Sequence, residues 1–323
     1  MSAKPVVVVL GAAEDDPPPG IEGATEHVDL RFAPDGDALP AALAGASGLF
    51  FWRAERGWLE DSWAEAGDLR WIQSVSDGVD GLLFPELVGG GVEVSNTRRV
   101  FDDAIAEWVI GAMLAFTSRI LVQRDAQVAR EWANGTTERL GGSRLMVVGP
   151  GPIGRAVGVR AKALGMRVGA VGRSARPDEL FGPIAAGADL HAAMADADFV
   201  LDALPLTPDT RHLFDRAAFA AMPPTARFIN VGRGSTVDES ALVQALLDGV
   251  IAGAALDVFE TEPLPADSPL WAMPQVLVSP HMCGDFDGWE RAAVGVFVEN
   301  SARFARGEPL RNPVDKDAGF GVG

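Results

Sequence analysis

The run Arg144–Val148 reads as an apolar strand, and it passes without a break into Gly149-Pro150-Gly151-Pro152-Ile153-Gly154. Residues 153–164 then read as a helix, so the glycine-rich turn joins a buried strand to a helix N-terminus. That junction belongs to parallel α/β folds. Gly149 permits the tight turn, Gly151 lets the backbone approach a pyrophosphate, and Gly154 lets the helix lie close to the strand. The unpaired N–H groups at the helix start suit phosphate. A glycine pattern alone is a weak signal, and a strand-turn-helix without ligand is the competing reading. The flanking strand and helix favour a dinucleotide site that includes Pro152 and Ile153. Pro152 fits the first helical turn but removes one N–H. Phosphate binding is therefore expected to be slightly weaker than with Ser at 152, unless Arg155 compensates.

The same alternation recurs along the chain. A β-branched run from Val6 to Leu10, followed by Gly11, reads as a buried parallel strand and turn. Strands are expected near 28–32, 48–52 and 70–75, with helices near 38–44 and 58–66. One long helix is expected over 101–130, starting at Asp102 or Asp103 and connecting two domains. Beyond it, strands are expected at 144–148, 167–171, 199–203, 227–231, 252–257 and 275–279. Helices fit between them, notably 238–247 and a short one near 189–195, and a long one over 284–306 leads back to the first domain. The pattern is that of two doubly wound α/β domains.

Composition bounds the partners. Lys plus Arg number 27 and Asp plus Glu number 45, a net charge of −18. Such a chain repels nucleic acid and anionic membrane, so neither is expected as a partner, and an anionic ligand must be held by local positive groups. Hydrophobic residues make up 48%, enough for a sizeable core. Cys283 is the one cysteine, which excludes an intramolecular disulfide and fits a cytoplasmic setting. It lies two residues after His281, as a nucleophile or, the favoured reading, a small apolar filler. The run Val6 to Leu10 is too short for a signal or a membrane span. No metal is expected.

The end of the second strand of the dinucleotide unit separates the two nicotinamide cofactors. An acidic residue there accepts from the ribose hydroxyls, whereas an arginine neutralises a 2′-phosphate. The segment is Val171-Gly172-Arg173-Ser174-Ala175-Arg176, with no Asp or Glu from 166 to 177. Arg173, Ser174 and Arg176 therefore favour NADP(H) over NAD(H), against the bland reading of a solvated loop.

Further motifs follow in a fixed order: Leu204-Pro205-Leu206-Thr207-Pro208 with Thr210-Arg211, then Asn230-Val231-Gly232-Arg233-Gly234, then Leu256-Asp257-Val258-Phe259 with Glu262-Pro263-Leu264, then Ser279-Pro280-His281. With the glycine turn they make the chain resemble the D-isomer-specific 2-hydroxyacid dehydrogenase family over nearly its whole length. It is most similar to the glyoxylate/hydroxypyruvate reductase branch, through Trp71-Ile72-Gln73-Ser74, Asp102-Asp103-Ala104-Ile105-Ala106-Glu107 and Asn312-Pro313-Val314-Asp315. The resemblance implies a Rossmann-type nucleotide-binding domain, 99–284, inserted into a smaller flavodoxin-like substrate domain, 1–98 with 285–323. It implies NAD(P)H-dependent reduction of small 2-oxo acids to D-2-hydroxy acids, in a site between the domains, by a homodimer with 101–130 as a contact.

The resemblance also assigns roles. Arg233 would hold the 2-oxo and carboxylate oxygens of the substrate, which a planar guanidinium can do together. His281 would give the carbonyl oxygen its proton, and Glu262 would bond the other ring nitrogen and raise its proton affinity. Asp257 would contact the nicotinamide end. Gly149, Gly151, Gly154, Leu204, Pro205, Thr210, Val231, Gly232 and Gly284 would complete the cofactor site. Singly, an Arg, a Glu or a His is usually structural or solvated. Together, after a cofactor cradle, they read as catalytic.

For the substrate, Ser76-Asp77-Gly78 would offer backbone N–H groups, with Trp52 and Arg53 as pocket wall or, equally, packing residues. Asp77 departs from the family's small uncharged residue. An inward carboxylate there would repel the substrate, and an outward one would leave only its N–H in the site. Two alternatives stay open: a nucleotide-sensing binding protein like the corepressors of this fold, and a phosphite-type dehydrogenase. The formate branch pairs Gln with its His, where this chain has Glu262.

Overall fold

The structure, a computed structural model, describes residues 3–55 and 57–321. The chain divides into two compact units, residues 1–100 with 287–323, and residues 101–286.

In the first unit the elements are β1 (Val6–Leu10), β2 (Asp29–Ala33), α1 (Leu39–Leu43), β3 (Gly48–Phe51), α2 (Trp58–Asp61), β4 (Trp71–Ser74), α3 (Pro85–Gly89) and β5 (Glu93–Ser95). Among the described residues five of its strands form one sheet in the parallel order β2-β1-β3-β4-β5, the doubly wound flavodoxin-like arrangement. Alternation along β1 sends Val8 and Leu10 into one core layer and Val7 and Val9 into the other. The C-terminal helix of this unit, Trp289–Arg306, starts five residues later than the expected 284. Its Phe297 stacks on Phe50 with ring centroids 4.3 Å apart. A buried polar cluster pins it as well. Asn300 Nδ2 donates to Gln73 Oε1 at 2.8 Å, and Gln73 Oε1 accepts from Ser95 Oγ at 2.8 Å.

The second unit opens with α4 (Asp102–Thr117) and α5 (Ile120–Ala129), where sequence patterning predicts one helix over 101–130. The two are bent by 63°. Arg119 takes a left-handed backbone, φ 56°, and the returning chain donates Glu138 N to the Thr117 carbonyl at 2.8 Å, ending α4. Neither Gly nor Pro marks the break, so composition hides it. Among the described residues no single helix is long and apolar enough to cross a membrane.

There follow β6 (Arg144–Val148), α6 (Pro152–Ala163), β7 (Arg167–Gly172), β8 (Arg176–Asp178), β9 (Gly182–Ala186), α7 (Leu190–Met194), β10 (Phe199–Asp202), α8 (Arg216–Ala220), β11 (Arg227–Asn230), α9 (Glu239–Leu247), β12 (Gly253–Leu256) and β13 (Val276–Val278). The sheet order is β13-β12-β11-β10-β6-β7-β9-β8. The chain goes from β6 to β7 on one side and later crosses to β10 on the other. The carboxyl ends of β6 and β10 therefore flank the crevice where such folds bind ligands. Along β6, Met146 and Val148 enter one apolar layer and Leu145 and Val147 the other. The β8–β9 hairpin, absent from the sequence reading, adds an antiparallel edge just past the end of β7.

Candidate active site

The glycine turn has the shape its spacing requires. Gly149 sits at φ 95°, and a Cβ there would come 2.7 Å from the Ala203 carbonyl oxygen. A Cβ on Gly154 would meet the Gly149 carbonyl oxygen at 2.4 Å. Only a bare backbone fits at either place. Gly151 differs, since its Cβ would meet nothing within 4 Å. The turn thus presents open space at its middle glycine, beside the start of α6. Pro152 opens that helix, followed by the partly buried Ile153. These residues fit a dinucleotide: a close approach of bare backbone and a helix start.

Arg155 is engaged elsewhere. Its guanidinium bonds Asp178 Oδ2 at 2.7 Å, and this contact holds the Asp178 carboxyl down to about 2. Asp178 Oδ1 also accepts from the amides of Leu180 and Phe181. At the end of β7, Arg173, Ser174 and Arg176 are exposed. Arg176 folds back toward Gly172, with Nη1 donating to the Ser174 carbonyl at 3.3 Å.

The loop after β10 is tied by Thr210. Its hydroxyl lies 2.7 Å from the Pro205 carbonyl and accepts from Thr207 N at 2.8 Å, while Leu204 N donates to Asp202 Oδ1 at 3.0 Å. After β11, Val231 is buried, and Gly232 approaches Leu204 so closely that a Cβ would stand 2.6 Å from its carbonyl oxygen. Asn230, given no role by the sequence reading, shapes this turn. Its Oδ1 takes Gly232 N at 2.9 Å and its Nδ2 reaches the Arg233 carbonyl at 3.1 Å.

His281 follows β13 in a left-handed backbone, φ 53°. That conformation costs a non-glycine residue roughly 1 kcal/mol or more and persists only where neighbours impose it. Asp257, at the end of β12, imposes it. Its carbonyl accepts His281 N at 2.8 Å, and its buried Oδ1 gathers Ser279 Oγ at 2.6 Å, Met282 N at 3.0 Å and Cys283 N at 3.1 Å. In this structure Asp257 clamps the histidine loop. Cys283 lies in the apolar layer beneath, and burial pushes its thiol far up, as a filler rather than a nucleophile. Gly284 is packed against Phe101 and Ile105.

His281 Nδ1 lies 2.7 Å from Glu262 Oε2. Glu262 Oε1 meanwhile accepts the Phe259 amide at 2.9 Å. The bond from Glu262 raises the His281 pKa above its ordinary value, against an opposing effect of burial. Burial alone would raise the Glu262 carboxyl. The bonds from His281 and Phe259, with the charges of His281 and Arg233, outweigh it and bring the carboxyl below its usual range. Arg233 is thus near enough for its charge to act on both partners. Its Nη1 donates to the Gly232 carbonyl at 2.8 Å. One unit therefore brings together Arg233, Glu262 and His281. His281 Nε2 has no hydrogen bond among the described residues, so it can exchange a proton with a bound molecule.

The residues expected in the substrate domain belong to the other unit. Trp52 is 5% exposed and packs among Phe50 and Trp289 in that unit's core. Arg53 pairs with Glu290 and lies over the Trp52 ring. Ser76 Oγ donates to the Gly78 carbonyl at 2.8 Å. Asn96 Nδ2 holds Asp77 at its carbonyl oxygen, 2.6 Å, and at its carboxylate Oδ1, 3.0 Å.

Residues 110–283 match the family model described as D-isomer specific 2-hydroxyacid dehydrogenase, NAD binding domain. The chain is 36% identical over 293 residues to glyoxylate/hydroxypyruvate reductase B of Pectobacterium atrosepticum, covering 86% of this chain and 88% of that protein. Among solved structures it is similar to a D-isomer specific 2-hydroxyacid dehydrogenase from Xanthobacter autotrophicus in complex with NADPH and MES. The TM-score there is 0.83 at 30% identity, over 99% of this chain and 100% of that one. It is also similar to an NADPH-dependent glyoxylate/hydroxypyruvate reductase from Sinorhizobium meliloti in complex with NADP and sulfate, with TM-score 0.82 at 28% identity, over 98% and 100% of the two chains.

Proposed function

The chain belongs to the D-isomer-specific 2-hydroxyacid dehydrogenase family, and we propose that within it this protein is an NADPH-dependent reductase of small 2-oxo acids such as glyoxylate and hydroxypyruvate. The observation that carries the reading is the Glu262–His281 pair with Arg233 beside it, in the unit that also holds the glycine cradle. The relatives named above support the substrate class and the phosphorylated cofactor.

Each side chain has a distinct task. The Arg233 guanidinium stays charged at any working pH and can bond a keto oxygen and a carboxylate oxygen at once. As it pulls electron density toward the keto oxygen, the carbonyl carbon becomes more electrophilic. A bound reduced nicotinamide supplies the hydride that this carbon takes up. His281 carries a proton on Nε2 and delivers it to the oxygen as negative charge develops there. Glu262, bonded to Nδ1, fixes the ring's orientation and keeps more of it protonated near neutral pH. In the oxidative direction the same nitrogen takes the proton back.

Arg173, Ser174 and Arg176 are read as the contacts to a 2′-phosphate, since no carboxylate from 166 to 177 competes for a ribose hydroxyl. Gly149, Gly151, Gly154 and the α6 N-terminus would hold the pyrophosphate. Leu204, Pro205, Thr210, Val231, Gly232, Asp257 and Gly284 would line the rest of the cofactor site. Residues 1–98 with 285–323 are read as the substrate domain, with the Ser76-Asp77-Gly78 turn offering N–H groups to the substrate carboxylate. The Asn96 bond to Asp77 lessens the repulsion its carboxylate would exert. A cytoplasmic homodimer completes the reading. The outer face of α5 supports it, with Val128 66% and nearby Trp132 93% exposed.

The test is oxidation of NADPH and NADH, followed with a panel of small 2-oxo acids. Turnover with glyoxylate or hydroxypyruvate at lower KM for NADPH is the expected result. No oxidation of either cofactor would overturn the reductase reading in favour of a nucleotide-sensing protein.

A further inference from the structure

Thr236 Oγ1 lies 2.5 Å from Asp202 Oδ2 and 2.6 Å from the Arg233 carbonyl oxygen. Two oxygen–oxygen contacts this short each require a proton, and a hydroxyl has one. The Arg233 carbonyl has none to give. One arrangement gives each contact its proton: Thr236 points its own to the Arg233 carbonyl, and Asp202 Oδ2 carries the second. An Asp202 anion would instead take the Thr236 proton, leaving two lone-pair oxygens facing each other at 2.6 Å. The remaining carboxyl oxygen agrees, because Oδ1 accepts from Leu204 N at 3.0 Å, as the C=O oxygen of an acid does.

The surroundings favour the same protonation state. Asp202 ends β10 and is wholly buried. Val148 on β6 and Asn230 on β11 flank it in the sheet, and Leu204, Gly232 and Thr236 close around it. All of these are uncharged, and no cationic side chain among the described residues acts on it. Burial, opposed only by the bonds from Thr236 and Leu204, pushes its carboxyl up to about 7.

We propose that Asp202 is a positioning residue, held as the neutral acid, that passes a hydrogen bond through the Thr236 hydroxyl to the Arg233 backbone and so fixes the guanidinium that meets the 2-oxo acid. This rests on the reading of Arg233 as the substrate anchor. The relay and Asn230 Nδ2 grip one carbonyl from two directions, and Thr236 N adds a longer contact at 3.2 Å. When Asp202 loses its proton, the Thr236 hydroxyl turns to it and releases Arg233. The Arg233 carbonyl then keeps only its Asn230 Nδ2 and Thr236 N contacts and the guanidinium is held less firmly, while the Glu262–His281 pair keeps its own support.

The test compares Asp202→Asn, Asp202→Ala and Thr236→Val with the parent protein across pH 6 to 9. Asn imitates the neutral acid, since its Nδ2 donates to Thr236 and its Oδ1 accepts from Leu204 N. Asp202→Ala and Thr236→Val are expected to raise the oxo-acid KM about ten-fold, the worth of one such bond. NADPH affinity should change little in Thr236→Val, which leaves the Asp202 bond to the Leu204 amide in place. Asp202→Asn is expected to rescue KM, and to hold it low at alkaline pH where the parent's KM climbs. An Asn variant as impaired as the Ala variant, or a parent and an Asn variant with the same KM–pH curve, would overturn the proposal.

An infrared difference spectrum of the parent minus Asp202→Asn reads the proton without turnover. A protonated-carboxyl band at pH 6 that vanishes at alkaline pH supports the assignment, and a carboxylate band throughout refutes it. If the band is present but no oxo acid is reduced, the substrate reading fails and the proton assignment stands.

Discussion

Gly234 presses against Phe259: a Cβ on the glycine would lie 1.8 Å from the Phe259 carbonyl carbon. Phe259 in turn donates its amide to Glu262, so the backbone next to Arg233 is keyed to the backbone that carries the histidine's partner. Gly234→Ala must therefore push the two segments apart. Overpacking of this kind costs about 1–3 kcal/mol, and here the displaced atoms adjoin the chemistry. The expected outcome is a lowered melting temperature together with a larger loss in kcat/KM. A variant that keeps parental turnover would show that the Arg233 turn and the Phe259 turn are not coupled.

The cradle glycines separate fold from ligand. Gly154→Ala meets the Gly149 carbonyl oxygen and the Val147 side chain at under 3 Å, and is expected to destabilise the protein without any ligand. Gly151→Ala meets no protein atom within 4 Å and should melt like the parent while losing NADPH affinity several-fold. Thermal melts with and without NADPH distinguish the two. Undiminished stabilisation of Gly151→Ala by NADPH would move the pyrophosphate elsewhere.

The proposed reading makes cofactor choice depend on the arginines just past the end of β7. Charge-assisted bonds contribute about 1.5–3 kcal/mol each, so the double variant Arg173→Ala/Arg176→Ala should raise KM for NADPH by at least about ten-fold. KM for NADH should stay within a factor of about two or fall, because no phosphate is lost from its contacts. Equal loss with both cofactors would indicate that the arginines shape the hairpin rather than read the phosphate.

Glu262→Gln tests proton supply. On the proposed reading reduction needs protonated His281, whose pKa Glu262 raises above its ordinary value, so the parent's kcat/KM is expected to fall only as pH rises past that raised value. Without the carboxylate the fall should begin at lower pH, and a profile that stays in place would refute the pairing as the cause. The stability effect has two signs. His281's share is complete below pH 6.5 and lost as pH rises through its raised pKa. Glu262's share is present above pH 4.5 and lost as pH falls through its lowered pKa. With both side chains partly exposed, the two together are worth at most about 1 kcal/mol in the melt.

Much of the architecture could be read from the chain because its strands are short apolar runs, and both faces of each parallel sheet are covered. Val6–Leu10, Arg144–Val148 and Phe199–Asp202 carry that signal. The break at Arg119 could not be read, since a left-handed arginine has no marker and its cause, Glu138, lies nineteen residues away. The β8–β9 hairpin escaped because Arg176–Asp178 and Gly182–Ala186 mix proline, glycine and charge. The proposed catalytic set is legible as separate motifs, but the role of Asp257 as a clamp depends on three contacts formed across the fold. Asp202 carries its own mark in the sequence, a lone acid closing an otherwise apolar strand.

Arg233, Glu262 and His281 all reside in residues 101–286, each supported by bonds formed inside that unit. Substitutions in residues 1–100 leave those bonds in place. On the proposed reading of that unit as the substrate domain, a lineage built this way can try new oxo acids while inheriting its reaction intact.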